Sequence, residues 1–178
     1  MHFAAKNGLR TLAALAVMTT GVLTAPVVAN AATVAPSTHT IETFAGKCLN
    51  VNGASTDDGA AIIQYTCNVD NGYTNDQFAL VPFQDSGDQI QIQTFADKCL
   101  DVEGGNRNDW ARIIQYTCSA SENQRFTLTH LPNGKAQIKT FAGKCVNVAS
   151  MNPANFASII QYTCQNNGSV NEEFIISR

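Results

Sequence analysis

Thr43-Phe44-Ala45-Gly46-Lys47-Cys48 returns as Thr94-Phe95-Ala96-Asp97-Lys98-Cys99 and again as Thr140-Phe141-Ala142-Gly143-Lys144-Cys145. Each copy leads to the same hexapeptide, Ile62-Ile63-Gln64-Tyr65-Thr66-Cys67, then Ile113–Cys118 and Ile159–Cys164. The two cysteines of a copy always stand 19 positions apart. Each copy closes on an Asn, two polar residues and a Phe, at Asn75–Phe78, Asn123–Phe126 and Asn171–Phe174. The repeats run over 39–83, 88–131 and 135–178.

Working outward, the segment before the first repeat is a different kind of sequence. Lys6 and Arg10 give a basic start, Leu12 to Val28 is largely apolar, and Ala29-Asn30-Ala31 supplies small residues at signal-peptidase spacing. Residues 1–31 are therefore expected to be a secretory signal, with 32–38 a spacer and 39–178 the domain. Without the leader the chain has nine basic against fourteen acidic residues. It has no basic run. Phosphate backbones and anionic membrane surfaces are held by Lys and Arg, so nucleic acid and polybasic membrane docking are not expected, nor is membrane insertion once the signal is cleaved.

An even set of six cysteines behind a secretion signal reads as a disulfide framework. If the three copies fold alike, each solves its own pairing: Cys48 with Cys67, Cys99 with Cys118, Cys145 with Cys164. A loop of this length is worth about 3 kcal/mol in the chain-entropy description. The rival metal reading has little to stand on, because no C-x-x-C occurs and the domain holds only His39 and His130. No metal and no cofactor are expected.

Short runs rich in Ile, Val, Phe, Tyr and Thr, such as 90–95, 99–102, 113–118 and 126–131, alternate with Gly, Asn, Asp and Ser. This predicts an all-β chain of about four short strands per copy. Three near-equal copies are too few for an ordinary propeller and lack the distinct caps of a solenoid, which leaves a closed threefold barrel. Phe44, Phe95 and Phe141, with Phe78, Phe126 and Phe174 and the paired isoleucines, are expected to build its shared core.

The combination Lys-Cys-Leu-Asp-Val, an aromatic two positions before the next Cys, and Asn-Gln-x-aromatic resembles the ricin B-chain type β-trefoil lectins. It is similar, too, to the family 13 carbohydrate-binding modules. The resemblance covers about residues 39–178. It implies a β-trefoil with a sugar pocket in each repeat, where an Asp accepts from two hydroxyls, an aromatic ring covers the apolar sugar face, and amides complete the contacts. On these positions the second repeat fits best, with Asp101, Tyr116, Asn123 and Gln124. The first has Asn50, Tyr65, Asn75 and Asp76; the third has Asn147, Tyr162, Asn171 and Glu172. With Asn in place of Asp, those two pockets are expected to be weak or vestigial. The implied partners are glycans, of galactose or xylose type.

Trp110, the sole tryptophan, lies in the loop between the cysteines of the second repeat, and by cysteine spacing its counterparts are Gly59 and Phe156. It either extends the sugar platform of the second pocket or caps the barrel. Asp101 has an alternative reading as a turn acid beside Gly104-Gly105, and the three tyrosines as framework. The chain shows no G-x-S-x-G, no H-E-x-x-H and no unpaired cysteine nucleophile, so binding without catalysis is expected. A protein-interaction or enzyme-inhibitor scaffold with degenerate sugar sites is the alternative function.

Overall fold

A computed structural model of the chain describes residues 37–68, 72–83, 87–165 and 168–177. The expected signal peptide and nearly all of the spacer lie outside the described residues.

Twelve strands carry the domain. They are β1 Thr38–Glu42, β2 Cys48–Val51, β3 Ile62–Tyr65, β4 Phe78–Pro82, β5 Gln89–Thr94, β6 Lys98–Val102, β7 Ile113–Thr117, β8 Phe126–His130, β9 Ala136–Thr140, β10 Cys145–Val148, β11 Ile159–Tyr162 and β12 Ile175–Ser177. The helical content described is limited to single 3-10 turns of three residues. Turns rich in Gly and Asn cut the strands short. Gly53 and Gly104 adopt φ of +64° directly after β2 and β6, a conformation that glycine enters without a Cβ clash.

The pairing has threefold order. The last strand of each unit joins the first of the next, β4 to β5, β8 to β9 and β12 to β1. Within a unit the first and last strands also meet, β1 with β4 and β5 with β8, while in the third unit Ala136 of β9 bridges Phe174, the residue just before β12. These six strands close into a barrel, so their lateral edges are covered. The hairpins β2–β3, β6–β7 and β10–β11 form a second layer. This is the β-trefoil. Each hairpin is stapled by one disulfide, Cys48–Cys67, Cys99–Cys118 and Cys145–Cys164, all at a sequence separation of 19.

The core corrects two expectations. Phe78, Phe126 and Phe174 are fully buried at its centre, but Phe44, Phe95 and Phe141 are only half-buried and pack against it from outside. They stand at the turn leaving the first strand of each unit, where one ring face is left to the surroundings; that of Phe141 is covered by the Arg107 guanidinium at 4.5 Å. The isoleucine pairs divide as well. Ile62, Ile113 and Ile159 enter the core cluster, whereas Ile63, Ile114 and Ile160 point to the opposite face of their strands.

That alternation decides what the repeated hexapeptide does. Gln64, Gln115 and Gln161 face inward with the first isoleucine and are completely buried. A buried amide must find partners, and each finds them in another repeat. The Gln115 Nε2 donates to the carbonyls of Ser55 and Asp57 at 2.8 and 2.9 Å. Gln161 holds Asn106 and Asn108 at 2.7 and 2.8 Å, and Gln64 holds Asn152 and Ala154 at 2.7 and 2.8 Å. Every repeat thus clasps the long loop of the one before it, and the first clasps the third. Ion pairs reinforce two of the three junctions, Lys98 with Asp58 at 2.7 Å and Lys144 with Asp109 at 2.6 Å.

Candidate functional site

The outer face of each hairpin carries the residues singled out by sequence. On the second strand of a unit, the residue two after the cysteine is Asn50, Asp101 or Asn147, and on the third strand the tyrosine is Tyr65, Tyr116 or Tyr162. The short turn before the fourth strand brings Asn75, Asn123 or Asn171 against the first of these.

In the second repeat, the Asn123 Nδ2 donates to Asp101 Oδ1 at 2.8 Å and the Gln124 Nε2 to Asp101 Oδ2 at 2.9 Å. The Gln124 Oε1 accepts from Ser119 N at 2.7 Å, which fixes the orientation of the amide. Asp101 is only 5% exposed. Burial pushes its carboxyl above the usual 3.8, against the opposing pull of the hydrogen bonds from Gln124 and Asn123. Asp101 is therefore part of a buried network rather than a turn acid beside Gly104-Gly105. Tyr116 stands beside it on the paired strand, 48% exposed.

The first and third repeats are not simple losses of this arrangement. In the third, the amide and the acid have changed places. The Asn147 amide donates to the Glu172 carboxylate, which also accepts from Gln165 N at 2.9 Å. Asn171 Nδ2 donates to Asn147 Oδ1 at 2.8 Å, as Asn123 does to Asp101. Burial raises the Glu172 carboxyl above its usual value. In the first repeat the Asn75 Nδ2 donates to Asn50 Oδ1 at 2.8 Å, and Asp76 Oδ2 accepts from Asn68 N at 2.7 Å. Asp76 is one methylene shorter than Glu172, and Asn50 Nδ2 and Asp76 Oδ1 both stay buried without a partner. One carboxylate is thus kept per network; only in the second repeat is it on the strand beside the tyrosine.

Trp110 is placed differently from the sequence expectation. It leaves its own repeat and meets Tyr162 of the third, with ring centroids 5.4 Å apart at 76°. Phe156 of the third repeat meets Tyr65 of the first in the same way, at 5.1 Å and 67°. The long loop clasped by the neighbour's glutamine carries each ring across the junction. Trp110 and Phe156 adopt φ of +72° and +68°, where Gly59 has +84°. Such a conformation costs a bulky side chain about 1–3 kcal/mol. Tyr65 and Tyr162 are half-buried beneath these rings, and Tyr116, facing Gly59, is the open one.

Clefts result at both composite corners. That of the first repeat, about 370 Å³, is lined by Asn50, Ile63, Tyr65, Tyr73, Asn75 and Phe156. That of the third, about 240 Å³, is lined by Trp110, Asn147, Met151, Ile160, Tyr162 and Asn171, with others. Sequence reasoning assigned Phe156 and Tyr73 to no site. The glycine aligned with Phe156 and Trp110 is the available signal, since glycine most readily takes the positive φ found at this turn.

A family model described as the ricin-type beta-trefoil lectin domain matches residues 37–169. Among solved structures, the chain is similar to the designed threefold-symmetric protein ThreeFoil, at 30% identity and a TM-score of 0.73, over 79% of this chain and 98% of that one. It is similar to an exo-beta-1,3-galactanase from Clostridium thermocellum at 26% identity and a TM-score of 0.72, over 79% of this chain and 30% of that one. The Polyporus squamosus lectin, bound to a human-type influenza-binding epitope, shares the fold at 18% identity and a TM-score of 0.64, over 80% of this chain and 49% of that one. No curated protein matches the chain. The closed threefold barrel, the disulfide in every hairpin and a polar network beside each tyrosine agree with the family match, and the chain belongs to the ricin-type β-trefoil lectin domain family.

Proposed function

We propose that this chain is a secreted lectin that binds glycans without altering them, and that its second repeat grips a sugar diol through Asp101. The observation that carries the reading is the orientation of that carboxylate. Both oxygens are held by amide donors from Asn123 and Gln124, and each keeps a further lone pair for a sugar hydroxyl. Tyr116 offers an open ring for the C–H face of the same sugar. Export follows the leader reading, with the exported form beginning at Ala32. The galactose or xylose preference belongs to this proposal as well.

Calorimetry on a panel of galactosides and xylosides tests it. Asp101→Ala lowers affinity at the second repeat by about tenfold or more, since a hydrogen bond to a charged group is worth about 1.5–3 kcal/mol, and Tyr116→Ala lowers it by removing the ring that covers the C–H face. Unchanged binding in both variants removes the site assignment. Release of reducing sugar from a glycan panel contradicts binding without catalysis. Retention of secreted proteins on immobilised domain, insensitive to free sugars, favours a protein-interaction scaffold instead.

The pH dependence separates binding from folding. The sugar requires ionised Asp101, so this binding falls away on acidification, beginning above the ordinary aspartate value of 3.8. Stability moves the other way for this group. A carboxyl whose pKa is raised on folding stabilises the fold most below its unfolded value, and that contribution disappears as pH rises through the folded one. Binding at the second repeat is therefore expected to weaken on acidification, starting above the ordinary aspartate value, while near-ultraviolet circular dichroism still reports a folded domain. If the two signals fall together, binding is lost by unfolding.

A further inference from the structure

We infer that the first and third repeats carry a second kind of sugar site, built across repeat junctions, in which Phe156 and Trp110 decide which ligand is taken. The ligand class is a neutral pyranoside held in the corner between two aromatic rings. The inference rests on the glycan-binding reading above and extends it to residues donated by the preceding repeat.

The rings are not required by the fold. At all three junctions the loop makes the same backbone bond: Gly59 N to Gln115 O at 2.8 Å, Trp110 N to Gln161 O at 2.9 Å and Phe156 N to Gln64 O at 2.9 Å. Glycine serves this purpose with no side chain and in a conformation that suits it. Trp110 and Phe156 do the same job in a conformation that penalises them, and they leave 56% and 63% of their surface exposed. Strain and exposed apolar area at the same two residues, each over a tyrosine at a cleft, are what a ligand platform requires.

The geometry indicates what fits. With interplanar angles of 67° and 76°, each pair of rings makes an L-shaped corner. A pyranose lays its C–H face on one ring and its edge against the other. Ile63 or Ile160 lies in the lining below. In the first cleft the polar wall is unfinished. Asn50 and Asn75 line it with neutral amides, and Asn50 Nδ2 and Asn75 Oδ1 have no partner within the fold. No Lys or Arg lines either cleft among the described residues, so a carboxylated or sulfated sugar would find no countercharge there. The strand residue at these sites is a neutral Asn, whereas the second repeat has Asp101 and faces Gly59. One chain then displays two chemistries, one charged and singly stacked, the other neutral and doubly stacked.

The experiment uses Trp110 as its own reporter, because it is the only tryptophan. The exported chain is titrated with lactose and with xylotriose, following tryptophan emission and calorimetric heat together. The expected result is a saturable emission change that persists in Asp101→Ala. Trp110→Gly and Phe156→Gly, which install the residue the chain itself uses at position 59, each remove about one binding equivalent or weaken it about tenfold. The melting temperature is unchanged or raised. If emission stays flat where calorimetry saturates and both glycine variants bind like the parent, this inference falls while the lectin reading stands. Emission changes that vanish in Asp101→Ala also overturn it. No binding to either sugar, nor to any glycan on an array, overturns both.

Discussion

Gln161→Leu is expected to destabilise the domain by about 3 kcal/mol and to lower its melting temperature by about 6–12 °C, at roughly 2–4 °C per kcal/mol for a domain near this size. Leucine matches the volume of the buried side chain but makes none of its bonds. The carbonyls of Asn106 and Asn108 lose their donor, and the Thr140 hydroxyl, now 2.9 Å from Gln161 Oε1, loses its acceptor. Each stranded polar group costs about 1–3 kcal/mol, less where water reaches it. Gln115→Leu provides an internal scale. Its Nε2 holds two carbonyls as well, but its Oε1 has no partner, so the loss is expected to be smaller. Denaturant unfolding of the two variants checks this. A loss below about 1 kcal/mol for Gln161→Leu, or a larger one for Gln115→Leu, contradicts the clasp.

Asp101→Asn is expected to destabilise by about 2–3 kcal/mol, and adding Gln124→Glu to recover most of it. Both Asp101 oxygens accept from amide N–H groups. Whichever way an asparagine amide is turned there, its own N–H faces another donor. The paired change recreates the arrangement of the third repeat, where Glu172 accepts from Asn147 and from Gln165 N. The new carboxylate would accept from Ser119 N, which now donates to Gln124 at 2.7 Å. Gln124→Glu alone sets two buried carboxylates together and is expected to be the most harmful of the three. A double-mutant cycle should show coupling of about 1–3 kcal/mol, the range for residues in one network. Additive effects would mean that Asp76 and Glu172 are unrelated to Asn50 and Asn147. The paired variant should fold and still bind sugar poorly at the second repeat, because the charge has moved away from Tyr116.

The threefold copy made the fold legible. Strand count, disulfide pairing and barrel closure follow from a pattern that each unit must satisfy alike, and the twelve strands and three disulfides agree with it. Relations between units were harder to read, because repetition says what a unit contains and not which unit it touches. Trp110 is eight residues before Cys118 and so reads in sequence as part of the second repeat, yet its ring belongs with Tyr162. The exchange of acid and amide was visible residue by residue as Asn50 with Asp76 and Asn147 with Glu172. Taken one position at a time it reads as two losses, because complementarity is a property of the pair. The half-exposed Phe44, Phe95 and Phe141 show a similar limit, since an aromatic beside a turn has the same letter as one in the core.

The circular clasp also has an order in time. Gln115 reaches back 58 and 60 residues, and Gln161 reaches back 53 and 55, but Gln64 waits for carbonyls 88 and 90 residues further along. On a growing chain the first repeat emerges first and is finished last. Tyr65 has no facing ring until Phe156 has been made, and the barrel has no closing seam until β12 meets β1. Such long-range closure makes folding slow relative to helical proteins of the same length. Every residue of the second sugar site lies before position 150, whereas the first site lacks its facing ring until Phe156 is added.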